Sequence, residues 1–368
     1  MTDRNKENNR EKKVFVAMSG GVDSSVTAAL MKEQGYDVVG VTMCFSITHS
    51  GSKRPSCCGA DGIADAQRVA QVLGIPHYVL DFAKEINACV IDDFTNEYLS
   101  GRTPNPCVRC NQYLKFGTLY EKVMALGADY LATGHYAKIA YNSKAGRYEM
   151  KKADDAKKDQ SYFLYSIPKE TLPKVLFPLG DIPKDEVRDL ARKYHLNVAE
   201  KLESQDICFV PDTGYKGFIR ERLGDSVFEP GNFMNPEGEV VGQHQGILNY
   251  TIGQRDKLGI ALGVPVYVYR IDKKTNTVYV GPQESLYARS LTANQFNPVG
   301  MNIPTETMEV SARIRYNARE VKGFLTSLGE GRVRVEFAEP QKAVTPGQSV
   351  VFYRDDVVLG GAVIEEAI

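Results

Sequence analysis

No apolar stretch in this chain approaches the ~20 residues of a membrane-spanning helix, so neither a span nor a membrane partner is expected. Net charge is nearly absent too: 45 Lys and Arg face 46 Asp and Glu, leaving −1. That excludes binding a polyanion by bulk charge; any nucleic acid must meet basic residues gathered on one face. The first 13 residues hold Arg4, Lys6, Arg10, Lys12 and Lys13 but no apolar core segment. They do not read as a signal peptide, and residues 1–13 are expected to form a solvated, disordered tail. Seven cysteines, an odd count, argue against a full disulfide framework. Without an export signal they point to reduced thiols and a cytoplasmic location. Internal repeats and low-complexity tracts are also missing.

The remainder is ordinary for a soluble globular protein, with 43% hydrophobic and 25% charged residues. At 368 residues the chain exceeds one typical core, so two or three domains are expected. Over residues 14–210 strands and helices alternate. Strand candidates are Val14–Met18, Val38–Phe45, His77–Asp81, Tyr130–Thr133 and Ala137–Tyr141. Helical periodicity falls at Ala60–Leu73, Ala83–Leu99, Lys115–Leu126 and Lys184–Tyr194. This order predicts an α/β domain, a doubly wound and mostly parallel sheet covered on both faces, with ligands at the carboxyl ends of its strands. Residues 211–282 turn glycine-rich and read as a small central β-rich domain, expected to contact RNA if the chain binds it, with Val266–Ile271 and Thr277–Val280 as a hairpin-like pair. Residues 283–368 offer five strands, at Met308–Arg315, Val321–Ser327, Arg332–Phe337, Ser349–Tyr353 and Val357–Ile364. These suit a C-terminal antiparallel β-barrel.

Directly after the first apolar run stand Ser19-Gly20-Gly21-Val22-Asp23-Ser24-Ser25, followed by a helix-period stretch. Two glycines permit positive φ, and the freed N–H groups converge on a helix N-terminus, which favours an anion. Ser19, Ser24 and Ser25 add hydroxyl donors. The Lys of a Walker A loop is missing, so the cradle suits a departing pyrophosphate better than a transferred γ-phosphate. The bland alternative is a glycine turn capped by Ser. The segment resembles the PP-loop of ATP pyrophosphatases, which activate an oxygen by adenylating it.

Cys107 and Cys110 lie in Thr103-Pro104-Asn105-Pro106-Cys107-Val108-Arg109-Cys110, where two prolines predict a stiff loop rather than a helix. Arg109 between them favours thiolate, the reactive form. Cys208 stands in Ser204-Gln205-Asp206-Ile207-Cys208-Phe209. A C-x-x-C pair alone serves redox, zinc or iron–sulfur chemistry. Cys89 reads as core. Cys57-Cys58 reads as a loop with metal binding as the lesser alternative.

The loop and these cysteine segments occur together with Thr133-Gly134-His135-Tyr136-Ala137 and Lys158-Asp159-Gln160-Ser161-Tyr162-Phe163-Leu164. Gly242-Gln243-His244-Gln245-Gly246 and Tyr250-Thr251-Ile252-Gly253-Gln254-Arg255 follow. This ordered set closely resembles the bacterial tRNA-specific 2-thiouridylases over nearly the whole chain. The resemblance implies sulfur transfer to C2 of a wobble uridine in tRNA, with ATP as cofactor and a sulfur-relay donor protein as partner; Mg²⁺ is expected from the needs of ATP chemistry. By the same resemblance Ala17, Met18, Ser19, Gly20, Gly21, Val22, Asp23 and Ser24 bind the phosphates of ATP, and Met43 and Gly134 its adenosine. Asp23 is a candidate direct or water-mediated Mg²⁺ ligand. Cys208 carries a persulfide and Cys110 is the partner thiol. Asn105, Pro106 and Cys107 line the pocket for the target base. Lys158, Asp159, Gln160, His135, Arg315, Tyr316 and Gln348 touch tRNA.

The chain departs from that family in two places. Many members carry Asp where Cys107 stands. Cys107 either fills that space, or joins Cys110 and Cys208 as a ligand of a [4Fe-4S] cluster with one iron open to sulfide. Asp256-Lys257 also occupies a turn where Gly is commoner. Read without the resemblance, His77 and His195 look structural, His135 is open between a structural and a ligand role, and Lys151 to Asp159 form a solvated loop. Arg313, Arg315 and Arg319 are better phosphate contacts, because alternate strand residues share a face. The rival readings are another PP-loop adenylating synthetase, in which the thiols would be idle, and an RNA-binding or iron–sulfur carrier with a vestigial ATP loop.

Overall fold

The computed structural model describes residues 9–46, 60–202, 207–260 and 263–368. Most of the N-terminal tail, Cys57-Cys58, and Ser204 to Asp206 ahead of Cys208 lie outside the described residues. The chain divides into two compact units, one of Met1–Val90, Cys107–Asp212 and Asp356–Val358, the other of Ile91–Pro106, Thr213–Asp355 and Leu359–Ile368.

The first unit is built on five parallel strands: β1 Lys13–Ala17, β2 Asp37–Cys44, β3 His77–Asp81, β4 Tyr130–Thr133 and a short edge strand at Val175–Leu176. Their order is β3-β2-β1-β4 followed by that edge strand, every pairing parallel. Val14, Phe15 and Val16 are all buried, as expected for a strand covered on both faces. The helices Val22–Glu33 and Ala60–Leu73 share its core through Val26, Ala29, Ala66 and Val69. β1 lies where the strand order reverses, with β2 on one side and β4 on the other. The carboxyl ends of β1 and β4 therefore open a crevice.

Two expectations for residues 14–210 fail. Ala137–Tyr141 does not join the parallel sheet: Lys138–Asn142 pairs antiparallel with Arg147–Lys151. The connection between them is far too short for a parallel crossover. The cysteine loop is also helical. Pro106–Arg109 is an α-helical turn that continues through a π-helical segment, Cys110–Leu119, into Tyr120–Ala125. Proline at the first helical position gives up only an N–H that has no intrahelical partner there, and its fixed φ suits the helix. Pro106 thus starts the helix it was expected to prevent.

In the second unit, Gly231–Met234, Val240–His244, Tyr267–Asp272 and Thr277–Gly281 form a four-stranded sheet around Phe233, Val268, Val278 and Val280. The barrel has six strands instead of five. Tyr287–Asn297 is the additional one, and its pairing with Val357–Ala367 closes the circle. In Arg332–Lys342, Val333, Val335 and Phe337 point inward while Arg332, Arg334 and Glu336 face solvent.

Candidate active site

β1 ends at Ala17, and Met18 to Gly21 turn the chain into the helix that begins at Val22. Gly20 holds φ +72°, and a Cβ there would lie 2.1 Å from the Gly62 carbonyl oxygen, so only glycine fits. Ser24 closes the turn on itself: its Oγ accepts from the Ser19 N–H at 3.1 Å and donates to the Gly21 carbonyl at 3.1 Å. Ser25 is not part of the cradle. It is fully buried, and its hydroxyl donates to Gly21 at 2.8 Å.

In front of this turn lies a cavity of about 200 Å³. Its walls are the loop, Thr42 and Met43 of β2, Lys115, and the end of β4 with Gly134, His135 and Gln160. Gly134 lets β4 approach the helix start: a Cβ would sit 2.8 Å from the Ser24 nitrogen. Thr42 donates its hydroxyl to the Met18 carbonyl at 2.6 Å, fixing the two strand ends together. The cavity joins a helix N-terminus to a lysine, which are the elements that hold a polyphosphate. Of the residues expected for ATP, Ala17, Met18, Ser19, Asp23, Ser24, Met43 and Gly134 line this crevice, while Gly20, Gly21 and the buried Val22 are not among its walls.

Three lysines that the sequence reading did not single out complete this region. Lys115, on the same helical stretch as Cys110, donates to Asn111 Oδ1 at 2.9 Å and lies 3.3 Å from His135 Nε2. An ammonium only donates, so Nε2 accepts and the His135 proton sits on Nδ1, 2.7 Å from Thr133 Oγ1. Desolvation, with the Lys115 charge added, holds the His135 pKa well below its ordinary value. His135 is therefore a neutral wall of the cavity. Lys184 is buried and bonds Asp23 Oδ1 at 2.6 Å, which also accepts from the Tyr136 hydroxyl at 2.8 Å. Lys201 reaches the Gly20 carbonyl. A lysine at the first residue of the helix Lys184–Lys193 opposes the helix dipole; that anomaly is the one sequence signal that marked it.

The remaining candidates occupy varied settings. Cys107 is exposed, while Cys110 and Cys208 are half-buried in the same unit. Arg109 is buried, with Tyr113 5.9 Å from its guanidinium. Among the described residues no three His, Cys, Asp or Glu side chains converge as a metal site. Asp159 turns inward, accepting from Ala153 N–H at 3.1 Å and from the Ser161 hydroxyl at 2.9 Å. It organises the loop that presents Lys158, and Gln160 accepts from the Tyr136 N–H at 3.0 Å. In the second unit Asn105 is half-buried and Pro106 buried. Gln348 donates to the carbonyls of Thr103 and Pro104, both at 3.0 Å, and so holds the segment that leads to them. Arg315 is exposed and donates to the Lys342 carbonyl at 3.1 Å; Tyr316 lies beneath Arg313, 5.7 Å from its guanidinium.

Three family models cover the chain: a tRNA methyl transferase HUP domain over residues 12–212, a tRNA methyl transferase PRC-barrel domain over 216–282 and an aminomethyltransferase β-barrel domain over 288–364. The tRNA-specific 2-thiouridylase MnmA of Carboxydothermus hydrogenoformans is 51% identical over 96% of this chain and 98% of its own. That of Pelotomaculum thermopropionicum is 48% identical over 96% and 97%. A solved 4-thiouridine synthetase–RNA complex with bound ATP is a distant likeness, 16% identical with a TM-score of 0.37, covering 58% of this chain and 51% of that one. The model descriptions speak of methyl transfer and the relatives of thiolation; identity over nearly the full length decides between them. The chain belongs to the tRNA-specific 2-thiouridylase family.

Proposed function

We propose that this protein transfers sulfur to C2 of the wobble uridine of tRNA, using ATP and producing 2-thiouridine, AMP and pyrophosphate. The observation that carries the reading is the crevice at the ends of β1 and β4, walled by the glycine turn and by Lys115 from the helical stretch that also holds Cys110. Near-full-length identity to 2-thiouridylases supports the substrate. On this reading residues 14–210 form the catalytic domain, 211–282 the central domain and 283–368 the barrel.

The uracil O2 attacks the α-phosphorus of ATP, and pyrophosphate leaves into the Gly20–Gly21 turn, held by backbone N–H groups and the Ser19 hydroxyl. Lys115 offsets the charge that develops there. Mg²⁺ would be held mainly by ATP oxygens with Asp23 at the rim, since Lys184 and Tyr136 already engage Asp23 Oδ1. A persulfide on Cys208, loaded by a sulfur-relay protein, attacks C2 through its outer sulfur, and AMP leaves with the former O2. The Cys110 thiolate then attacks the inner sulfur of Cys208. The S–S bond to the outer sulfur breaks, the electron pair stays with the sulfur on the base, and a Cys110–Cys208 disulfide remains for an external thiol to reduce. The base reaches this chemistry from an anticodon loop, splayed out without unwinding a duplex. Asn105, Pro106 and Cys107 line its pocket. Lys158, His135, Arg315, Tyr316 and Gln348 serve tRNA docking directly or through the segments they hold.

Pyrophosphate release tests the adenylation step. Release from ATP that requires unmodified tRNA supports the scheme; equal release without tRNA contradicts it.

A further inference from the structure

The last step of the proposed cycle joins Cys110 to Cys208, and both of these cysteines are half-buried. Cys107 is the exposed member of the three. It stands one helical turn before Cys110, in Pro106–Arg109 and its continuation Cys110–Leu119. Three residues along an α-helix bring two Cα atoms to about 5 Å, inside the ~4.4–6.8 Å that a disulfide spans. Positions three apart also share a face. The residues between them occupy the other face: Val108 and Arg109 are both buried. The turn therefore carries two thiols side by side on its less buried face, one more accessible than the other.

The frame around this pair is fixed. The Val108 carbonyl accepts from the Ser166 hydroxyl at 3.4 Å, and the buried Asn111 donates from Nδ2 to the Phe163 carbonyl at 2.9 Å. Pro106, with its restricted φ, starts the helix. Two groups held at short range in one frame react as if at high concentration, which is how an internal thiol outruns an external one. The scheme above uses Cys107 only as a wall of the base pocket, a task that needs no thiol.

We propose that Cys107 is a resolving thiol, which with Cys110 forms a dithiol–disulfide couple that releases Cys208 after each turnover and hands the oxidation to the surface. The proposal rests on the function proposed above for the source of oxidised Cys110. The Cys107 thiolate attacks Cys110 Sγ; the bond from Cys110 to Cys208 breaks, its electron pair leaves on Cys208, and the proton lost by Cys107 is regained there. One disulfide replaces another, so this step consumes no reductant. The external thiol that the cycle already requires then attacks the exposed Cys107 Sγ, and Cys110 leaves as thiolate. A second thiol of the same donor displaces Cys107, leaving the donor as a disulfide and both cysteines reduced. Exposure sets the order: the reductant meets Cys107, whereas Cys110 and Cys208 stay half-buried.

The test maps disulfides in the full-length protein, once after oxidation by diamide and once after a single turnover of persulfide-loaded enzyme with ATP and tRNA. Remaining thiols are alkylated before peptide mass spectrometry. Both routes should leave the parent with a Cys107–Cys110 bridge and an alkylated Cys208. Cys107→Ser and Cys107→Asp should instead hold Cys110–Cys208 after diamide, and dithiothreitol should reduce that bridge about tenfold or more slowly than the bridge of the parent. Cys208→Ser should still form Cys107–Cys110 with diamide, a readout that needs no thiolation. A parent that thiolates tRNA and retains Cys110–Cys208, reduced no faster than in Cys107→Ser, overturns the couple and leaves the function standing. A Cys107–Cys110 bridge in a parent that forms no thionucleoside supports the couple and overturns the function. Iron and labile sulfide bound stoichiometrically by the anaerobically purified parent, and lost in Cys107→Ser, overturn the couple, because thiolates committed to a cluster do not pair with each other.

Discussion

Lys201 donates from Nζ to the carbonyl of Gly20 at 2.9 Å, and the same nitrogen pairs with Asp65 at 2.6 Å. One side chain thus ties the glycine turn to the chain segment that runs on toward Cys208. Arg188 fixes that segment from the other side, donating to the Ala199 carbonyl at 2.8 Å. Desolvation would raise the Asp65 pKa, but hydrogen bonds from Lys201 and Arg68 outweigh it and hold the carboxyl below its ordinary range.

Lys201→Met should therefore loosen the turn without touching ATP directly. A hydrogen bond from a charged group is worth ~1.5–3 kcal/mol, so ATP affinity should fall by about tenfold to a hundredfold, and Lys201→Arg should recover part of it. Calorimetric titration with ATP measures this; unchanged affinity in Lys201→Met would sink the clamp.

Gly20→Ala should abolish ATP binding, because the new Cβ would need the space of the Gly62 carbonyl, which is backbone and cannot step aside. Gly127→Ala is the control. It shares positive φ, at +85°, but nothing lies within 4 Å. It should lose only ~1–2 kcal/mol of stability and bind ATP normally. Equal ATP binding by the two variants would contradict the close-approach argument.

The buried Lys184 needs the carboxylate of Asp23. Removing one partner of a buried pair costs ~3–5 kcal/mol. Asp23 is 30% exposed, so ~1–3 kcal/mol is expected for Asp23→Ala after allowing for solvent screening. The double variant Asp23→Ala/Lys184→Met should lose less than the sum of the single losses. Denaturant unfolding of the four proteins tests this, and strict additivity would rule out the coupling.

His135 sets a pH dependence with a definite sign. Its folded pKa lies well below its ordinary value, driven first by desolvation and then by Lys115. The unfolded chain therefore takes up a proton that the folded state refuses. The stability tied to neutral His135 is complete above the unfolded pKa of ~6.5 and is lost progressively as pH falls below it. Desolvation lowers His77 and His244 in the same direction. Melting temperature should drop between about pH 7 and about pH 5, and His135→Asn should flatten the profile. A profile of His135→Asn parallel to that of the parent would contradict this assignment.

The parts legible in the sequence are those where one local signal dominates. Val14–Val16, Val38–Val41 and Leu131–Ala132 are unbroken apolar runs, and the glycine turn follows the first directly. Tyr287–Asn297 carries a weak signal because three of its five buried positions are the small Ala288, Ser290 and Ala293, beside only Leu291 and Phe296. The central strands Gly231–Met234 and Val240–His244 carry Gly, Asn, Gln and His, which read as loop. Lys115 and Lys201 carry no such signal, and Lys184 only its place at a helix start: a lysine shows its partner only after folding brings together residues as distant as Gly20 and Lys201. Asp159 looked like a surface charge because its loop is rich in Lys and Asp. Its inward turn depends on the Ala153 and Ser161 donors that the fold aligns.

The most direct measurement is nucleoside mass spectrometry of tRNA after incubation with the protein, ATP, Mg²⁺ and a persulfide donor. The account predicts ATP-dependent 2-thiouridine from the parent protein, and at least a thousandfold loss in Cys110→Ser and in Cys208→Ser, on the order of the loss of a covalent nucleophile. Thionucleoside at the parental rate from either cysteine variant, or none from the parent despite steady pyrophosphate release, would contradict it.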